Sequence, residues 1–267
     1  MADSSGASKG VDLGVVSFLN TKPLIEGLSD EPGIRLHPAV PSRLAAMLHG
    51  GQADAALVPV VDYARAAPAW QIISDACIAS DGETLTVRVF SRVPPQDVRC
   101  LRVDGDSHTS VVLARLIWSR RFNRPLRVQP LREADGTGDG EAVLLIGDKV
   151  IARRPEGFAY ELDLGSAWKE WTGLPFVFAV WVARSGEDWS GLAQRLSVAR
   201  DCGVAEARRL AREHGPPHGW PVEVAEVYLT RYMQYVLTPE ARRGLKQFLG
   251  MARETGFLAE PRDLVTT

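Results

Sequence analysis

The sequence predicts an α/β protein built as a two-lobed clamp, with a ligand cleft between the lobes and C-terminal helices packed back on the first lobe. Three observations carry that prediction. Two strand-like runs, a short apolar one from Gly14 and one at 98–103, each end in a turn rich in hydroxyl and amide side chains. Two apolar runs, 84–91 and 175–182, are long enough to pass from one lobe to the other. Beyond residue 190 the pattern turns helical. In open α/β sheets ligands sit outside the carboxyl ends of strands, so two polar turns on two different sheets are placed to face each other.

The first strand ends at Ser17, Asn20 and Thr21, before Pro23 and Leu24 restart an apolar pattern. A short strand is expected at 34–40, then a helix over 41–51 with Leu44, Met47 and Leu48 on one face, Ser42 as cap and Gly50 with Gly51 as stop. Residues 55–60 form an apolar run with the length and flanks of a buried parallel strand, completing a β-α-β unit. Strands at 71–78 and 84–91 follow around the polar turn 80–83.

From about Pro94 the pattern starts again. It predicts a strand at 98–103, a helix at 109–122, a strand near 126–130, a linker at 133–140, a buried strand at 142–147 and a short helix and loop over 168–174. Helices are then expected at 192–199, 204–214, 222–236 and 241–252, the last with Thr238 and Pro239 as cap and first turn. The corresponding organisation is a loose tail at 1–10, a discontinuous first lobe of 11–91 plus 181–267, and a second lobe of 92–180.

Composition narrows the function classes. With 45% hydrophobic and 24% charged residues, the 267-residue chain can bury a full core. The 31 basic and 33 acidic residues are interspersed and leave a net charge of −2, which gives no field for nucleic acid. No window approaches the ~20 apolar residues of a membrane span, and the Ser/Gly/Ala-rich start lacks the basic flank and apolar core of a secretory signal. The expected setting is the cytoplasm. Cys77, Cys100 and Cys202 are odd in number and far apart, so neither a disulfide framework nor a metal site is expected, and the default is buried, reduced thiols.

The most informative stretch runs from Asp104 to Ile117, where Ser107, Thr109 and Ser110 stand at the start of an apolar-faced helix. Two readings of them stay open: the hydroxyls cap the helix, or they and the free N–H groups beside them hold a small carboxylate. His108 is the tempting base, although a lone His between capping hydroxyls is more often a surface or supporting residue. Asp148 either orients a donor or caps the segment after it. Ser17, Ser80 and Thr86 are further cleft candidates. His214 and His218 sit in a Gly-Pro-Pro loop and are expected to face solvent rather than a metal, and Trp168 with Trp171 is expected to be packing.

Several segments together resemble the chorismate dehydratases of the futalosine route to menaquinone, enzymes similar to type 2 periplasmic solute-binding proteins turned to catalysis. They are Ser17-Phe-Leu-Asn-Thr-Lys-Pro-Leu24, Pro41-Ser-Arg-Leu44, Asp54-Ala-Ala-Leu-Val-Pro-Val60, Asp106-Ser-His-Thr-Ser110, Leu145-Ile-Gly-Asp148, and Asp163-Leu-Gly165 with Trp168, Trp171 and Gly173-Leu-Pro-Phe176. The similarity extends over roughly residues 11 to 258 and rests on the order and spacing of the pieces. It implies a type 2 periplasmic-binding-protein-like fold and loss of water from chorismate to give 3-[(1-carboxyvinyl)oxy]benzoate, with no metal or organic cofactor. Asn20 is then the catalytic candidate, holding a carboxylate or the leaving hydroxyl while the enolpyruvyl carboxylate of the substrate takes the ring proton. Ser107, Thr109 and Ser110 would bind a substrate carboxylate, with Ser17, Ser80, Thr86, His108 and Asp148 as further contacts.

Two other readings compete. The dihydroxynaphthoate synthase of the same pathway resembles this chain in its Asp-Leu-Gly and Gly-Leu-Pro segments, but that family usually has a His-Glu pair where this sequence has Gly147-Asp148. A non-catalytic carboxylate receptor would use the same clamp, since fold does not fix function. A transport receptor would ordinarily carry a signal peptide, and a regulator a DNA-reading helix-turn-helix, where this chain has only its short tail.

Overall fold

The computed structural model describes residues 10–131 and 141–258. Most of the expected tail, the 133–140 linker and the last nine residues of the first lobe lie outside the described residues. Two mixed sheets organise the rest. The first has six strands in the order β11-β4-β10-β3-β1-β2, the second five in the order β7-β6-β8-β5-β9. In the first sheet these are β1 (Val11–Val16), β2 (Ile34–Ala39), β3 (Ala55–Pro59), β4 (Trp70–Ser80), β10 (Phe176–Arg184) and β11 (Met233–Val236). In the second they are β5 (Val87–Ser91), β6 (Cys100–Val103), β7 (Arg127–Pro130), β8 (Ala142–Ile146) and β9 (Tyr160–Asp163).

Each sheet is centred on an uninterrupted apolar strand. All five residues of β3 are buried, as are all five of β8, because both strands are flanked on two edges and covered on two faces. The helix α1 (Pro41–His49) supplies the crossover between β2 and β3, burying Leu44 and Leu48. Ser42 is not its cap. Pro41 occupies the first turn, whose N–H would be unpaired in any case, and the N–H of Ser42 donates to the carbonyl of Asp106 in the second lobe, at 3.1 Å.

Strand pairing moves the lobe boundaries expected from sequence. β5 pairs with β8 and β9, so residues 87–91 belong to the second sheet rather than the first lobe. All of β10 pairs with β3 and β4, so residues 176–180 belong to the first sheet. The passages between lobes therefore fall at 81–86 and at α5 (Leu164–Thr172) with the turn after it. An apolar run marks a buried strand but says nothing about which sheet buries it.

One carboxylate ties the two passages together. Asp163 caps α5, accepting from the N–H groups of Gly165 and Ser166 at 3.0 Å. It also accepts from the N–H of Thr84 (3.0 Å), the Thr84 hydroxyl (3.0 Å) and the N–H of Leu85 (2.9 Å) in the other passage. Leu85 has φ +62, a left-handed conformation that costs a non-glycine residue on the order of 1–2 kcal/mol, and the carboxylate offsets it. Gly165 lies beneath the same turn: a Cβ there would sit 2.4 Å from the Gly82 carbonyl oxygen, so no side chain fits. Burial pushes the Asp163 carboxyl up, and the N–H donors and Arg88 pull against it.

The C-terminal region packs on the first lobe. α6 (Ser190–Ala205) lies on β4 and the 19–24 turn, and α9 (Pro239–Glu254) lies on β10 with Thr238 accepting from the N–H of Ala241 as its cap. The expected helix over 222–236 is instead three things: α8 (Val222–Val227), one π-helical turn at Tyr228–Tyr232, and β11. Met-Gln-Tyr-Val at its end pairs with the open edge of β4, a tertiary demand that local helical periodicity does not register. Of the three free thiols, Cys77 is buried, Cys100 partly covered and Cys202 exposed, so the expectation of buried thiols holds for one. Among the described residues no helix is long and apolar enough to cross a membrane.

Replacing Asp163 by Ala strips the acceptor from two passages at once. Urea unfolding of D163A is expected to lose about 3 kcal/mol or more, the scale for orphaning several buried donors; a loss below about 1 kcal/mol would remove Asp163 from this role.

Candidate active site

Three helix starts on the first lobe find their caps on the second. The N–H of Leu19, at the head of a 3-10 helix (Leu19–Leu24), lies 3.3 Å from both carboxylate oxygens of Asp148, which follows β8. The N–H of Val61 in α2 (Val60–Ala66) donates to the Thr109 hydroxyl at 3.3 Å. The N–H of Ser42 donates to Asp106, as described above. Helix starts leave N–H groups without partners inside the helix, so each of these contacts satisfies a donor that an open clamp would give to water.

Side chains reinforce the closure. His108, at the start of α3 (His108–Leu116), sets its Nδ1 2.8 Å from the Asp62 carboxylate of α2. Asp148 is matched from the opposite side by His218 Nδ1 at 2.7 Å and the Trp220 indole N–H at 2.9 Å. Lys149 pairs with Asp104 at 2.6 Å and with Asp106, holding the loop before α3.

Closure leaves a cavity of about 510 Å3 between the sheets, part of it open to solvent. Its polar wall consists of Asn20 from the first lobe, Thr84 and Thr86 from the passage between lobes, and Ser107 and Ser110 from the start of α3. The apolar wall includes Phe18, Phe178, Ile146 and Met233. Among the described residues that line it, none carries a charge. Ser107 accepts from the N–H of Ser110 at 3.2 Å and shares a hydrogen bond with its hydroxyl at 3.0 Å, so capping and lining are done by the same side chains.

The structure divides the residues singled out in the sequence. Asn20, Thr86, Ser107 and Ser110 meet in the cavity. Thr109 and His108 do not line it: the first gives its oxygen to Val61, and the second is paired with Asp62. Ser80 is fully buried and donates to the Gly82 carbonyl at 3.2 Å. Ser17 stands between two lining residues, and its N–H continues the sheet by donating to Ala39 at 2.9 Å. Asp148 sits at the head of the short helix α4 (Lys149–Ala152) without capping it, because its oxygens face Leu19, His218 and Trp220. His218 is therefore an inter-lobe partner, contrary to the solvent-facing expectation. Trp168 is buried against Trp171, with ring centroids 5.8 Å apart, as expected of packing.

Sequence reasoning missed Thr84, Phe18, Phe178 and Met233. Thr84 carried the clearest available signal, being a hydroxyl two residues before Thr86 in a stretch already assigned to the hinge. Gly147 also lines the cavity with φ +66; a Cβ there would meet the Phe18 ring at 2.6 Å, so glycine lets that ring lie against the strand end. Among the described residues no group of three or more His, Cys, Asp or Glu side chains is placed to hold a metal ion.

Comparison with known proteins fits this geometry. A model of the menaquinone biosynthesis family matches residues 11–254. The chain belongs to that family. It is 28% identical over 253 residues to the chorismate dehydratase of Thermus thermophilus, covering 88% of this chain and 93% of that one. Protein AF1704 from Archaeoglobus fulgidus superposes with a TM-score of 0.75 at 17% identity, over 94% of this chain and 99% of the other. The alkanesulfonate-binding protein SsuA from Xanthomonas axonopodis pv. citri, bound to MOPS, gives a TM-score of 0.70 at 9% identity over 96% of each chain. The nitrate-binding protein NrtA from Synechocystis PCC 6803 gives 0.63 at 10%, over 96% of this chain and 84% of that one. The fold is that of the type 2 periplasmic binding proteins.

Removing the Asp148 side chain should loosen the clamp. D148A leaves the Leu19 N–H and the Trp220 indole without their acceptor, so a loss of about 2 kcal/mol or more in unfolding free energy is expected, together with a larger radius of gyration in small-angle scattering. An unchanged scattering curve would show that Asp148 does not hold the lobes together.

Proposed function

We propose that this protein is a chorismate dehydratase, converting chorismate to 3-[(1-carboxyvinyl)oxy]benzoate and water, and that the inter-lobe cavity is its active site. The observation that carries the reading is the uncharged wall: an amide and four hydroxyls around an apolar chamber, within a chain of the menaquinone biosynthesis family. The similarity to the Thermus thermophilus enzyme supports the choice of reaction.

The chemistry explains why such a wall suits the task. The reaction takes a proton from the ring, expels a hydroxyl as water and leaves the ring aromatic, yet among the described residues no side chain lining the cavity is a base at neutral pH. The substrate carries its own base in the enolpyruvyl carboxylate. A cationic neighbour would lower the pKa of that carboxylate by about 1–3 units and blunt it, whereas desolvation in an apolar chamber raises it. Neutral donors hold the group in place with a smaller loss of basicity. Asn20, Ser107 and Ser110 then fix the two carboxylates, and the Asn20 amide stabilises charge as the hydroxyl departs.

Two competing readings fare less well. A dihydroxynaphthoate synthase would need an acid-base pair at 147–148, where Gly147 lies against Phe18 and the Asp148 carboxylate is occupied by Leu19, His218 and Trp220. A passive receptor shares the fold and would bind the same dianion without changing it.

Purified protein mixed with chorismate should produce the ultraviolet spectrum of a substituted benzoate, and an unchanged spectrum would overturn the dehydratase reading. N20A is expected to lower kcat by about 100-fold or more, the scale for one well-placed donor, while weakening ligand binding by less than about tenfold; equal turnover would rule out its role. Because no cation among the described residues lines the cavity, raising salt from about 0.05 to 0.5 M is expected to change KM by less than about twofold. A KM that climbs tenfold would mean that charged groups hold the substrate.

A further inference from the structure

An aromatic side chain crosses the cleft at the cavity wall. Val16, Phe18 and Asn20 line the cavity at alternate positions where β1 runs into the 19–24 turn, so the ring and the amide are delivered by one short segment of the first lobe. The Phe18 ring lies over Gly147, just past β8 in the second lobe. A Cβ on that glycine would meet three ring carbons at 2.6, 2.7 and 2.8 Å, well inside the roughly 3.5 Å at which two carbons touch. The next residues continue the contact, because the Leu19 N–H faces the Asp148 carboxylate at 3.3 Å. Two consecutive residues of one lobe thus dock on two consecutive residues of the other.

The backbone is pinned on both sides of this contact. The Ser17 N–H donates to the Ala39 carbonyl at 2.9 Å, and the Phe18 carbonyl accepts from the Thr21 N–H at 3.1 Å. Across the cleft, the Gly147 N–H donates to the Thr86 carbonyl at 2.9 Å, and the Gly147 carbonyl accepts from the Val150 N–H at 3.1 Å. A side chain at 147 would therefore meet the ring with neither backbone free to shift, and the readiest relief is for the lobes to part. The contact from Leu19 to Asp148 would go with them. In the closed form the ring completes the apolar wall alongside Phe178, Ile146 and Met233.

We propose that Phe18 is the sealing residue of the chamber, seated on the bare Cα of Gly147, and that this seat sets how far the lobes close and keeps water from the apolar side of the bound guest. The proposal deepens the dehydratase reading and rests on it for its kinetic part, since a carboxylate that must take a ring proton is a stronger base once it has lost its water. The seat itself belongs to the free protein. Gly147 has φ +66, so a side chain there brings both backbone strain and the clash with the ring. The two are separable: the strain acts in open and closed forms alike, the clash only where the lobes meet.

The test compares G147A, F18A and the F18A/G147A double variant of the full chain by small-angle scattering and by chorismate turnover. G147A is expected to enlarge the radius of gyration and raise KM about tenfold or more, whereas F18A is expected to keep the wild-type radius and lower kcat about tenfold as water enters the chamber. The double variant should return to the wild-type radius, because the ring that clashes is gone. An unchanged radius in G147A, or a double variant as open as G147A, would overturn the seat, and an unchanged kcat in F18A would overturn the sealing. If the wild-type protein leaves chorismate untouched, the dehydratase reading fails and scattering still decides the seat: an expansion in G147A that the double variant reverses upholds it, and no expansion overturns it. Should G147A fold poorly, F18W enlarges the ring from the other side without touching the glycine, and the same expansion is expected.

Discussion

The rest of the structure depends on the way unpaired N–H groups at helix starts are satisfied across the cleft. Leu19, Ser42 and Val61 each present such a donor on the first lobe, and Asp148, Asp106 and Thr109 accept them from the second. A single neutral contact of this kind contributes on the order of 1 kcal/mol, and one to a carboxylate somewhat more. Several together make closure favourable while leaving it reversible, because every donor regains a partner in water when the lobes part. The acceptors flank the cavity without entering it. Closure and ligand contact are thus assigned to different atoms of neighbouring residues, with Thr109 and Ser110 adjacent in sequence but opposite in duty.

Asp163 performs the corresponding task at the other end of the clamp. Its carboxylate caps α5 in one passage and holds the left-handed Leu85 in the other, which turns Thr84 and Thr86 to the same chamber. An extended strand would have sent Leu85 to one face and both threonines to the other without bending the chain across the lobes. The strain at Leu85 is therefore part of how the site is built. It also explains the local sequence around Gly165, where the tight approach of Gly82 and Thr84 excludes any side chain.

Much of this was legible in the sequence where local physics decides it. The apolar runs that became β3 and β8, the helix that begins at Thr238, and the two polar turns at 17–21 and 107–110 follow from patterning and capping rules that act over a few residues. What stayed hidden was decided by partners far away in the chain. Residues 87–91 and 176–180 are equally apolar in either lobe, and only their pairing shows which sheet they join. Met233 and Tyr235 become a strand because β4 has an open edge. His108, Thr109 and Asp148 were recognised as polar groups near the cleft, but whether such a group turns inward to a guest or sideways to the other lobe depends on Asp62, Val61 and Leu19, which lie 46, 48 and 129 positions away.

The absence of charge from the wall separates the demands of catalysis from those of capture. A receptor gains affinity from any cation placed against its anion, and at about 4 Å such a pair is worth roughly 4 kcal/mol at an effective dielectric constant near 20. A reaction in which the guest carboxylate must accept a proton gains nothing from that pairing, since the same attraction stabilises the ground-state anion and is lost as the proton arrives. Outside the wall, the Asp62 and Asp148 side chains are each turned toward a histidine of the opposite lobe. Neutral donors inside the wall favour a basic guest. An arrangement that is poor for tight capture is therefore well matched to a substrate that supplies its own base.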